Sequence, residues 1–128
     1  MRVSRLSMVL FLFAAVAAAA CSSSTSPGGG LGVTVGNFFF QSTHNPTTNP
    51  AIDTVAVGGK VTWTWTNTGG TPHSIESDPT NPGDPAFTSG PQQMGNGQTY
   101  TVTFNAAGTY EYDCGVHGNL MTGRIVVQ

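Results

Sequence analysis

The chain has 128 residues, with four basic and six acidic side chains and three histidines. Arg2 and Arg5 lie at the extreme N-terminus; beyond them only Lys60 and Arg124 face six acids. That leaves a net charge of about −4 with no basic patch, which gives no support to nucleic-acid binding.

Residues 1–20 open with Arg2 and Arg5 and continue as an apolar run from Val9 to Ala20. This is the charged start and hydrophobic centre of an export signal. The unbroken run is shorter than the roughly 20 residues that a membrane span needs. Ala18-Ala19-Ala20 leads directly into Cys21, which resembles a bacterial lipobox. Cys21 would then be lipidated and become the new N-terminus, tying the protein to a membrane; simple cleavage after Ala20 is the alternative. Residues 22–32 (SSSTSPGGGLG) have no apolar periodicity and read as a flexible tether. Its r.m.s. span is on the order of 18 Å. Residues 33–128 make one small domain, for which a monomer is expected.

Short strand signals with Gly, Pro, Asn and Thr punctuation run through that domain. Val33–Phe40 and Ile52–Val57 are plausible strands with irregular patterns. Val61, Trp63 and Trp65 alternate with Thr62, Thr64 and Thr66, a period of two with one apolar face. The stretch 78–97, rich in Pro, Gly, Asn and Gln, reads as a long loop. Tyr100, Val102 and Phe104 repeat the alternation, as do Tyr110, Tyr112 and Cys114, and residues 123–128 form a last strand-like run. No segment after the signal reads as a helix. Strands at near-regular spacing in an exported domain of this size predict an all-β antiparallel sandwich.

The chemistry sits near the C-terminus. Cys114, His117 and Met121 fall close together, and His73 ends an earlier strand-like run. A thiolate, two imidazoles and a thioether are the donor set of a type 1 (blue) copper site, in which Met is the weak axial ligand. Cys21 and Cys114 are the two cysteines, so with Cys21 used as an anchor no disulfide forms within the domain. Coordination is one reason to keep a lone thiol in an exported domain; inert burial is the other. By strand parity the Cys114 sulfur points inward with Tyr110 and Tyr112, which suits a dry metal pocket better than a nucleophile. His44 and Met94 lie in polar loops without a matching motif. Trp63, Trp65, Tyr110 and Tyr112 read as core aromatics.

Thr71-Pro72-His73-Ser74-Ile75, Gly108-Thr109-Tyr110-Glu111-Tyr112-Asp113-Cys114 and Gly115-Val116-His117-Gly118-Asn119-Leu120-Met121, followed by Gly123-Arg124-Ile125-Val126-Val127, together resemble the cupredoxins, the plastocyanin/azurin family. The resemblance covers residues 33–128 and implies a Greek-key sandwich. It also implies a copper ion held by His73 and His117 through Nδ1, Cys114 through Sγ and Met121 through Sδ. Ser74 takes the position that ties the two ligand loops together. The loop reads C-x2-H-x3-M, one residue shorter before Met than in typical plastocyanins and one longer than in amicyanins. The implied role is a one-electron carrier, not an enzyme, exchanging electrons with transient redox partners through the edge of His117. Pro72, Gly115, Val116, Gly118 and Leu120 would form its docking surface. Copper storage or delivery is the competing role.

Overall fold

The computed structural model describes residues 30–66, 68–78, 86–90 and 95–128. The expected signal, the Cys21 anchor and most of the tether lie outside those residues, as does Met94. Among the described residues there is no helix, and the regular structure is β1 Leu31–Gly36, β2 Phe39–Ser42, β3 Ala51–Val55, β4 Gly59–Trp65, β5 Glu76–Asp78, β6 Thr99–Phe104, β7 Gly108–Cys114 and β8 Gly118–Val127. One sheet has the order β2-β1-β4-β6 and the other β3-β8-β7-β5.

Alternation places the core between the sheets. Val61, Trp63 and Trp65 on β4 are buried, as are Val33 and Val35 on β1, while Lys60 points outward. From the second sheet Tyr110, Tyr112 and Cys114 on β7 meet them, with Met121, Ile125 and Val127 on β8. The Trp63 and Tyr112 rings meet at 5.2 Å between centroids, a T-shaped contact that suits the aromatic quadrupoles. The expectation that these aromatics build the core holds.

The all-β sandwich stands, but its sheets are mixed and not wholly antiparallel. β1 runs parallel to β4, and β3 parallel to β8. Each parallel pair is joined through intervening strands, as parallel pairing requires. Alternation reports which face a residue takes and is silent on the direction of the neighbouring strand. Other boundaries shift as well. β1 takes in Leu31 and Gly32, which the sequence reading gave to the tether. Val33–Phe40 is two strands, reversed by a tight turn at Asn37-Phe38. Within the predicted loop, residues 86–90 lie alongside 75–77: Ser77 N–H donates to the Phe87 carbonyl at 2.9 Å and Ser89 N–H to that of Ile75 at 2.8 Å. Phe87 thereby enters the core against Trp63 and Phe104.

Candidate metal centre

β7 brings Cys114 to the end of the sandwich with its side chain fully buried, because Tyr110, Tyr112 and Cys114 share the inward phase. The chain then turns sharply, with His117 N–H donating to the Cys114 carbonyl at 3.0 Å and Leu120 N–H to the His117 carbonyl at 3.2 Å. The turn sets the Nδ1 of His117 3.4 Å from the Cys114 sulfur. His73 arrives from the segment between β4 and β5, fully buried, with its Nδ1 3.8 Å from the same sulfur. The two imidazole centroids are 4.8 Å apart, and one ligand atom from each of His73, Cys114 and His117 lies within 4.8 Å of the others. His73, 41 positions before Cys114, thus joins Cys114 and His117 in presenting three donor atoms to one point.

Met121 is also fully buried, but it stands within β8 and not in a loop, in phase with Ile125 and Val127. The strand begins at Gly118, earlier than the sequence reading placed it, so the connection after Cys114 is only three residues long.

Burial pushes the His73 imidazole below its ordinary value, and neighbouring His117 adds to the effect. A neutral ring keeps a lone pair available for a metal. Its Nε2 is buried without a hydrogen-bond partner. The backbone is better held: Trp65 Nε1–H donates to the His73 carbonyl at 3.2 Å. Ser74 bridges the two ligand-bearing segments, since Gly115 N–H donates to its Oγ at 3.2 Å while the hydroxyl reaches Glu76 Oε1 at 3.4 Å. Glycine at 115 suits this close approach: a Cβ there would collide with the Glu76 carboxylate, which would have to swing aside, and would come within 2.8 Å of the Ser74 hydroxyl.

On the outer face, Glu76 lies directly across from Asp113. Burial raises the Asp113 carboxyl, and Asp78 and Glu76 raise it further. Around His117, which is half-buried, Leu120 is 69 % exposed and Val116 39 %. Gly115 is exposed and Pro72 and Gly118 are half-buried. His44 is exposed and paired with Thr43 Oγ1 at 3.1 Å, away from any ligand group among the described residues.

Sequence reasoning missed three residues at this end. Phe38 places its ring 4.6 Å from that of His117. Asn49 joins the β1–β2 turn to the Leu120 carbonyl, and Trp65 anchors His73. The Gly36-Asn37 pair is a turn signal that was available for the first of these.

A thiol and two imidazoles, converging and with only His117 part-exposed, fit a metal that accepts both sulfur and nitrogen, copper or zinc above all. Fold and site together define a small sandwich domain with a metal centre at one end. Residues 47–128 match the model for copper binding proteins of the plastocyanin/azurin family, and the chain belongs to that family. It is 45% identical over 65 residues to amicyanin-alpha of Methylorubrum extorquens, a match covering 51% of this chain and 52% of that one. With the chloroplastic plastocyanin of Tetradesmus obliquus it shares 37% identity over 84 residues, covering 62% and 57%. The chain therefore spans about half the length of the curated relatives it matches. A solved oxidized amicyanin variant superimposes with a TM-score of 0.58 at 28% identity, covering 80% of this chain and 85% of that one. A reduced amicyanin variant gives 0.57 at 30% identity, covering 78% and 83%.

Proposed function

We propose that the protein is a one-electron carrier with a single type 1 copper ion held by His73, Cys114, His117 and Met121. The observation that carries this reading is the convergence of both Nδ1 atoms on the buried Cys114 sulfur. Copper in such a site supplies a Cu(I)/Cu(II) couple, and the weak fourth donor is Met121.

The chain's own part is to keep this site dry and rigid. Strand ends and the Ser74 bridge fix the two ligand segments relative to each other, so the donors need not rearrange with each electron. His117 is the imidazole nearest solvent, and its edge is the exit for outer-sphere transfer. Pro72, Gly115, Val116, Gly118 and Leu120 surround it with small and apolar groups. Such a face docks weakly and releases quickly, as transient redox contacts do.

Storage or delivery of copper is not favoured, because the spare donor among the described residues, His44, stands apart from the site. Complete burial of Cys114 supports a carrier over a thiol enzyme, whose nucleophile must meet substrate. Export and attachment through Cys21 belong to the same reading, with residues 1–20 as signal, 21–30 as anchor and tether ahead of β1, and a cell-envelope location facing away from the cytoplasm.

The test is a visible absorption spectrum of the full chain after addition of Cu(II). An intense thiolate band that bleaches with ascorbate and is lost in Cys114→Ser is expected. A folded protein that takes up no copper, or takes it up without that band, would overturn the proposal.

A further inference from the structure

Phe38 is costly where it stands. Its φ of 62° lies in the left-handed region, where a bulky side chain clashes with its own backbone and Gly or Asn is the ordinary occupant. Burial does not explain its retention, since the residue is 46 % exposed. Its contacts do. The ring meets His117 at 4.6 Å and 62°, and His73 at 6.1 Å and 83°. Both are edge-type contacts of the kind that aromatic quadrupoles favour, and one ring makes them to both imidazoles.

The turn that carries it is clamped by a neighbouring side chain from the segment between β2 and β3. Asn49 Nδ2 donates to the Phe38 carbonyl at 2.9 Å and to the Leu120 carbonyl at 3.1 Å, while its Oδ1 accepts from Phe40 N–H at 3.0 Å. One amide thus locks the β1–β2 turn onto the strand that leaves the ligand turn. A strained conformer persists only when its surroundings over-determine it, and this clamp does so.

We infer that Phe38 is a positioning residue of the metal centre: a ring, held by Asn49 in a strained turn, that caps the imidazoles of His73 and His117 and bars outside ligands from the metal. The inference rests on the reading of His73, Cys114, His117 and Met121 as a copper site. Its effect is kinetic retention of copper and fixed orientation of His117, at the expense of backbone strain in the turn.

The experiment uses the full chain loaded with Cu(II) and follows decay of its thiolate band in excess EDTA. The same proteins, copper-free, are unfolded in urea. Phe38→Gly should release copper about tenfold faster, the loss of an aromatic contact. Its copper-free urea midpoint should be unchanged or higher, since strain relief offsets the added freedom of glycine. Phe38→Tyr, which keeps the ring, should restore slow release. Unchanged release in Phe38→Gly would overturn the inference and leave the copper site standing. Faster release with a matching fall in the copper-free midpoint would reduce Phe38 to an ordinary structural residue. If the wild-type chain takes up no copper, the site reading falls first and the cap with it.

Discussion

Two clusters of buried polar atoms interrupt the apolar interior, one at the end of the sandwich and one in its middle. At the end, His73, Cys114 and His117 turn their donor atoms toward one another. In the middle, Ser42 Oγ–H donates to Asp53 Oδ1 at 2.6 Å, while Asp53 Oδ2, Tyr112 OH and Trp63 Nε1 have no hydrogen-bond partner. The Trp63 N–H lies near enough to the Tyr112 oxygen to favour its anionic form without reaching hydrogen-bond geometry. Burial nonetheless holds the Tyr112 phenol far above its ordinary range. Both clusters cost desolvation. The difference lies in donor chemistry and aim: sulfur and imidazole nitrogen facing one point can be satisfied together by one cation, whereas a carboxyl, a phenol and an indole N–H make no such set.

The largest effect expected from that contrast is the response to metal. Loading copper at about 1,000 times its dissociation constant should stabilise the fold by about 4 kcal/mol, and stripping it should remove the same amount. Chemical unfolding without copper and with free copper held at that excess measures this. An unmoved midpoint would mean that the end cluster gains nothing from the metal and is no different in kind from the middle one.

Legibility in the sequence followed the same divide. The pairing of Cys114 with His117 was readable because they are neighbours in sequence and the alternation of β7 fixes the inward aim of the thiol; for Met121, from the same short stretch, the structure adds its burial within β8. Pro72-His73 was readable through its resemblance to a known motif. The middle cluster was not, since Asp53 sits in an irregular strand and meets Ser42 from another sheet. Nor was the clamp at Phe38: a positive φ leaves no mark on a phenylalanine codeword, and Asn49 and Leu120 are 71 residues apart. The parallel pairings escaped for a related reason, because a period of two is the same in either strand direction.

A smaller effect should come from the phenol. Tyr112→Phe keeps the ring that packs on Trp63 and Phe40 and deletes a buried hydroxyl without a partner. Removing an unsatisfied group should stabilise the protein by about 1 kcal/mol, with copper uptake unchanged. A loss of stability in urea unfolding would show that the hydroxyl is satisfied in solution, and the two clusters would then be less alike in cost.

The smallest effect is carried by Asp53, which is 2 % exposed. Burial raises its carboxyl above the ordinary value of 3.8, while the Ser42 hydrogen bond and the nearby His44 act in the opposite direction and do not cancel it. A carboxyl raised on folding binds its proton more tightly in the native state. Its contribution is therefore fully present below the unfolded value, near pH 3.8, and declines as pH rises through the higher native one. Asp53→Asn removes the charge but keeps an oxygen for Ser42, and it adds an amide N–H that the site does not pair. The net gain near neutral pH should be only about 0.5 kcal/mol. The sharper readout is the profile. The stability difference between variant and wild type should grow on going from pH 4 to pH 7 if the carboxylate is the costly form. A difference that stays flat across that interval would place the cost in the lost packing of the pair and not in its charge.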